Sequence, residues 1–255
     1  MNPSPTAARG TLQATIDCLM ESLRSAGGRL DVHQDLGAYR VLCESHGLWR
    51  DPAFAVVSCG PGSPAFWLGF SNSRQQLVAL AACRLIMSED FHRTIETGEL
   101  WHKSGFAGHG GTAEAGAIVR VDAVEPSRRI EGAVSYLQLQ MLQRGRYLPE
   151  LGWMVSWLSQ SLAFRFHSSE FAVSLAQSGL HHGQRGDESA SARESFARCE
   201  FCLSGYFPPM EAGATLHLCH TSFEEFSVWG SQVLGHAMPS RTVFHAKEAN
   251  LPAVG

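Results

Sequence analysis

Apolar and polar positions alternate in two distinct rhythms along this chain, and the change between them is clearest from Gly132 to Phe166. Val134 to Leu142 carries β-branched, aromatic and long apolar residues with Gln138 and Gln140 at alternate positions, the period of two of a half-buried strand. The short basic turn Gln143-Arg144-Gly145-Arg146 follows. Pro149 then stands where a first helical turn tolerates it, and Leu151, Met154, Val155, Leu158 and Leu162 recur at helical spacing. A strand that enters a helix through a basic, glycine-containing turn directs free backbone N–H groups and the positive end of the helix dipole at one point. That junction suits a phosphate.

The same two rhythms divide the rest of the chain. Leu12, Ile16, Leu19, Met20 and Leu23 form a helical stripe from about Thr11 to Ala26, closed by Gly27-Gly28 and preceded by a small, polar tail. Asp35 to His46 is a second helix candidate, and Phe54 to Ser58 a short strand candidate. Ala65 to Phe70 and Gln76 to Met87, on either side of Ser71-Asn72-Ser73-Arg74, predict an antiparallel hairpin. The second of these runs is apolar almost throughout, so periodicity leaves it either a doubly buried strand or a short helix.

Ser88-Glu89-Asp90 caps a helix over Phe91 to Leu100, and Gly116 to Val124 reads as a strand. The Gly-rich segment between them, with Gly108-His109-Gly110-Gly111, reads as a loop because no strand precedes it. Phe171 to Ala176 is a strand expected to lie parallel to the earlier one, since a whole helix separates them. Gly183 to Ala192 is polar and of low complexity and offers nothing to bury. Phe201 to Tyr206 and Ala214 to Cys219 are two further strands, and the capping pattern Thr221-Ser222-Phe223-Glu224-Glu225 opens a last helix.

Composition narrows the function classes. A chain of 255 residues with 44% hydrophobic residues can bury a sizeable core. A net charge of −4 and 20 basic residues without a dense cluster predict no nucleic-acid partner and no membrane surface. Seven scattered cysteines, with no basic-then-apolar leader, predict a cytoplasmic protein with reduced thiols. Cys199, Cys202, His217, Cys219 and His220 invite a zinc reading. However, strand alternation sends His217 and Cys219 to one face and His220 to the other, which favours core cysteines and strand histidines and predicts no metal.

The strand–turn–helix resembles the acetyl-CoA-binding segment of the GNAT N-acetyltransferase superfamily, whose loop follows Gln/Arg-x-x-Gly-x-Gly/Ala. Arg144-Gly145-Arg146-Tyr147-Leu148-Pro149 supplies the leading Arg and the basic residues, and puts Tyr147 and Pro149 where that family prefers small ones. The resemblance extends in element order from Ala65 to Glu225. It implies a mixed, mostly antiparallel α/β sheet flanked by helices over 61–237, with an added helical segment over 11–60, a flexible tail over 1–10 and another tail over 238–255.

The resemblance further implies transfer of an acetyl or other acyl group from coenzyme A to an amine of a small molecule or peptide, and it allows a homodimer. Arg144, Gly145, Arg146, Tyr147 and Leu148 would hold the pyrophosphate. Similar proteins splay the signature strand from its parallel neighbour, which would put Leu139, Gln140, Met141 and Leu142 beside the thioester. Glu170, or a water held by His181, is the expected base, and Tyr206 or Tyr136 the expected acid. The alternative from another class is a catalytically silent GNAT-like protein that binds a small molecule or a protein.

Overall fold

The computed structural model describes residues 5–48, 51–54, 64–102, 119–123, 127–142, 149–178, 195–207 and 212–235. Its centre is an eight-stranded mixed sheet in the order β1-β2-β3-β5-β6-β8-β7-β4. The strands are β1 (Arg29–His33), β2 (Ala65–Ser71), β3 (Leu77–Ser88), β4 (Val119–Ala123), β5 (Gly132–Met141), β6 (Phe171–Ser178), β7 (Arg198–Phe207) and β8 (Ala212–Ser222). Every pairing is antiparallel except β5 with β6.

Each face of the sheet has its own helical layer. On one face lie α1 (Pro5–Ser25), α5 (Pro149–His167) and α6 (Phe223–Gly235). There Leu12, Ile16, Leu19 and Leu23 meet Val155, Leu158, Leu162 and Phe226 above Leu68, Phe70, Ala81 and Leu137. The opposite face is covered by α2 (Leu36–Ser45), a 3-10 turn (Pro52–Phe54), α3 (Phe91–Glu96) and α4 (Glu99–His102). Its core gathers Tyr39, Phe54, Phe91 and Ile95 over Trp67, Leu80, Tyr136 and Val173. Covering on both faces explains why β3 is apolar almost throughout: it is the doubly buried strand, and a helix is excluded.

Several expectations change on contact with the structure. The segment over 11–60 is not wholly helical, because β1 joins the sheet edge by pairing with β2 in the register Arg29↔Ser71 to His33↔Trp67. The first helix begins at Pro5, inside the stretch read as a tail. Pro52–Phe54 is a 3-10 turn where the start of a strand was expected. The helix after Asp90 breaks into α3 and α4 at Gly98, whose φ of +72° belongs to the left-handed region that glycine adopts without a Cβ penalty. The Gly108 cluster, the 143–148 turn, His181, the Gly183–Ala192 stretch and the 238–255 tail lie outside the described residues.

Two local predictions are met in detail. Asp90 accepts from Arg93 N–H at 3.1 Å as the N-cap of α3. At α6, Ser222 N–H donates to Glu225 Oε2 at 3.0 Å and Glu225 N–H returns to Ser222 Oγ at 3.2 Å, a reciprocal capping box.

The alternation expected along β8 is also present: Leu216 and Leu218 face the α2–α3 layer, while Cys219 faces α5. Cys219 is bonded to Cys199, its register partner on β7, so the expectation of wholly reduced thiols is corrected. Among the described residues no helix is long and apolar enough to cross a membrane.

Candidate active site

β5 and β6 pair only from Val134↔Phe171 to Leu137↔Ser174, although β5 runs on to Met141 and β6 to Ser178. Beyond Leu137 each strand keeps its outer partner. β3 remains paired with β5 through Ala79↔Met141, and β8 with β6 through Ser178↔Thr215. The two parallel strands therefore part, leaving a wedge in mid-sheet whose walls carry backbone N–H and C=O groups not used between them. β5 ends at the mouth of this wedge, and α5 begins at Pro149.

Leu139 and Met141 lean toward α5 and are partly buried there. Leu142 N–H donates to Val78 O at 2.9 Å, which fixes the strand end to β3.

The opposite parity of β5 departs from the sequence reading. Alternation makes Gln138 and Gln140 the wet positions of a half-buried strand, yet each is only 8% exposed. The α2 layer covers them, and a buried amide must then find partners. Gln138 Oε1 accepts from the Tyr39 hydroxyl at 3.1 Å and from Asp51 N–H at 3.1 Å. Gln140 Nε2 donates to the Tyr39 hydroxyl at 3.4 Å.

One residue back along the same face, the Tyr136 hydroxyl donates to Asp51 Oδ2, and Asp51 Oδ1 accepts Ala53 N–H at 2.8 Å. Asp51 is a carboxylate with 3% exposure, packed where β5 leaves β6. Burial, followed by the Asp51 charge, pushes the Tyr136 phenol well above its ordinary range, so Tyr136 holds its proton. Phe54 stacks on the Tyr136 ring with centroids 5.5 Å apart, and Phe91 closes the other side at 6.1 Å.

Sequence reasoning missed Asp51. The one available signal was an acid immediately before Pro52-Ala53-Phe54, a turn signal beside apolar residues.

The remaining expected residues do not converge on the wedge. Glu170 is exposed and stands at the closed end of the parallel pair, where its N–H donates to Ala133 O at 2.7 Å. A strand rising about 3.3 Å per residue puts that position roughly 20 Å from Leu139. Tyr206 lies on β7 in register with Gly213, three strands from β5 and so about 14 Å away laterally. His181 and Arg144 to Leu148 fall outside the described residues.

On the α5 face, behind β5, Ser135 Oγ meets His167 Nδ1 at 2.9 Å and donates to Ser169 Oγ at 2.8 Å, with Cys83 Sγ 3.7 Å from the same ring nitrogen. Burial lowers His167 to about 4 and raises the Cys83 thiol beyond reach of ionisation at neutral pH. A thiol and hydroxyls so disposed form a core network around His167 Nδ1, whose Nε2 is buried without a hydrogen-bond partner among the described residues, and there is no thiolate to act as nucleophile.

Beside the Asp51 cluster the surface opens into a cavity of about 570 Å3. Arg84, in register with Tyr136 across β3 and β5, forms part of its wall. Arg84 Nη1 donates to Ala53 O at 2.9 Å, in the turn that carries Asp51. Arg84 thus links the cavity wall to the turn that carries Asp51, while Asp51 itself does not line the cavity.

No family model matches the chain, and no curated protein matches its sequence. The fold is similar to solved structures of the aminoglycoside acetyltransferase AAC(6')-Ib. The complex with coenzyme A is 9% identical with a TM-score of 0.40, over 78% of this chain and 98% of that one. The complex with paromomycin and acetyl-CoA is 8% identical with a TM-score of 0.39, over 84% and 99%. The complex with ribostamycin and coenzyme A is 9% identical with a TM-score of 0.38, over 84% and 99%.

Proposed function

We propose that this chain is a GNAT-like acyltransferase that moves an acetyl or other acyl group from coenzyme A to an amine. The observation that carries the reading is the parting of β5 from β6 after Leu137 and Ser174, at the end of β5 that precedes the 19-residue helix starting at Pro149. An extended arm bearing amides fits a gap between two strands because it can borrow their unused backbone groups as an added strand would. A pyrophosphate fits the helix start beyond it, through the free N–H groups and the dipole. The element order implied by the sequence resemblance supports the same reading: an antiparallel hairpin, a helix, a strand, the strand–turn–helix, a parallel strand, a polar insertion and a closing strand.

In this reading the backbone of Leu139, Gln140, Met141 and Leu142 lines the arm, and Arg144, Gly145, Arg146, Tyr147 and Leu148 surround the phosphates. The coenzyme supplies an acyl carbon activated as a thioester. Asp51 replaces Glu170 as the base, since a carboxylate fixed by Ala53 N–H and Tyr136 can accept a proton from an amine brought against it. Tyr136, kept neutral, acts as a hydrogen-bond donor that holds that carboxylate, and Gln138 fixes the Asp51 backbone.

The test is a melting scan with acetyl-CoA. At about 100 times its dissociation constant a ligand stabilises by about 2.7 kcal/mol, roughly 5–10 °C for a domain of this size. Arg144→Ala with Arg146→Ala is expected to remove most of that shift. No shift with any CoA thioester would sink the transferase reading. The second reading, a silent binding protein, is favoured by Tyr147 and Pro149 in the loop; binding of acetyl-CoA without transfer to any amine would select it.

A further inference from the structure

One line of paired residues crosses the sheet on the face covered by α5. It runs through Phe66↔Cys83, Cys83↔Leu137, Leu137↔Ser174, Ser174↔Cys219 and Cys219↔Cys199. Two features coincide on this line. Leu137↔Ser174 is the last pair of β5 with β6 before the wedge opens, and the Cys199–Cys219 crosslink closes the same line at β8 and β7.

Beyond the line, the wall of the wedge formed by β6 is carried, among the described residues, by β8 alone, through Leu175↔Leu218 to Ser178↔Thr215. β8 in turn leans on β7, and there the ladder is interrupted. The register shifts between Phe201 and Leu203, where Cys202 is the extra residue of a bulge. A bulge leaves a residue unpaired and disrupts the ladder around it. The crosslink stands just before that bulge, so a covalent bond fixes the β7–β8 register at the point from which the wedge wall extends with least support.

The two sulfurs differ in access: Cys219 is fully buried, whereas Cys199 is only partly buried. An exchanging thiolate therefore attacks the Cys199 sulfur. The bond between the two sulfurs breaks, and Cys219 leaves as a thiolate that takes a proton. A second thiol then releases Cys199 from the mixed disulfide, so the protein is reduced to two thiols and the reductant is oxidised to its disulfide. The same steps in reverse, driven by a low-molecular-weight disulfide, restore the crosslink.

We infer that the Cys199–Cys219 crosslink is a redox-sensitive latch on the wedge. Formed, it holds β8, and through it the β6 wall, in one position; reduced, it lets 175–178 and 212–218 shift at the bulge. That the wedge then holds a coenzyme arm less tightly rests on the acyltransferase reading, because a wall that must be ordered on binding lowers affinity. The loosening of the wall does not depend on that reading.

The experiment is hydrogen–deuterium exchange on the full chain in two states, after oxidation with glutathione disulfide and after reduction with a phosphine, at a temperature where both are folded. On reduction, exchange is expected to rise about tenfold or more at the amides of 175–178 and 212–218, with 134–137 and the β2–β3 pair little changed. Cys199→Ala is expected to exchange like the reduced chain under either condition. Acetyl-CoA titrated into the two states is expected to bind the reduced chain about fivefold or more weakly.

A chain that forms no crosslink on oxidation, equal exchange in both states, or a rise spread evenly over all strands would overturn the inference; in the last case the bond is a general brace. Equal affinity of the two states for acetyl-CoA would overturn it as well. Binding of acetyl-CoA to neither state removes the transferase reading, while a rise confined to 175–178 and 212–218 still supports the latch.

Discussion

Asp51 and Tyr136, separated by 85 positions in the sequence, share a hydrogen bond in the interior of the α2–α3 layer. The other carboxylate oxygen is held by Ala53 N–H. Tyr136→Phe removes one hydrogen-bond donor from a buried carboxylate, at a cost of about 1–3 kcal/mol. A fall of roughly 2–12 °C in melting temperature is the expected result, and an unchanged melt would mean that the bond contributes nothing net.

Asp51→Asn keeps the shape and the contact with Ala53 N–H but cannot accept a proton from an amine. If acyl transfer is found, this variant is expected to lower kcat by about 100-fold or more with KM little changed. A variant with full kcat would return Asp51 to a purely structural part in the core.

Acid should destabilise the fold through two buried histidines. Burial lowers His167 from about 6.5 to about 4, and it lowers His220 as well, with Glu200 at 3.7 Å opposing part of that shift. An unfolded chain binds protons below about pH 6.5 that the folded chain refuses, so stability is full above that pH and declines as pH falls toward 4. His167 alone accounts for up to about 3 kcal/mol, before discounting for its partial contact with solvent. Unfolding curves between pH 7.5 and 4.5 should show the decline, and His167→Gln, weaker at pH 7, should show a shallower slope. Equal slopes would remove His167 as the cause.

The Cys199–Cys219 bond closes a sequence separation of 20 residues. A crosslink of that span stabilises by about 3 kcal/mol in the chain-entropy picture. Reduction is expected to lower the melting temperature by roughly 6–12 °C, and Cys199→Ala should abolish the reductant effect. Alkylation of the unreduced, denatured chain that labels Cys199 and Cys219 as fully as Cys18 would show that the two thiols are free.

What the sequence made legible was periodic. The helical stripes of α1 and α5, the β2–β3 hairpin, the parallel step from β5 to β6 and the Ser222–Glu225 box all follow from local spacing. The candidate site was half legible for the same reason. Leu139 to Leu142 could be placed at the end of β5, whereas Asp51, Tyr39 and Arg84 reach that strand only through tertiary packing. Gln138 and Gln140 show the limit well: alternation reads a polar residue as wet, but a second layer can cover it and convert it into a structural acceptor. Glu170, next to β6 in sequence, stands beside Ala133 at the paired end of β5 and β6, a placement that strand spacing alone does not reveal.

The helix α1 packs against α6: a Cβ on Gly230 would lie 2.8 Å from Thr15 Oγ1 and 3.4 Å from Thr11 Cγ2. The first described helix therefore completes its apolar contacts with the last. During synthesis α1 emerges with its stripe of Leu12, Ile16, Leu19 and Leu23 and has no finished surface to cover until α6 has left the ribosome. Contacts of such sequence separation slow folding and leave apolar surface exposed meanwhile. Gly230→Leu, which wedges the pair apart, should therefore raise aggregation during expression as well as lower the melting temperature of whatever folds.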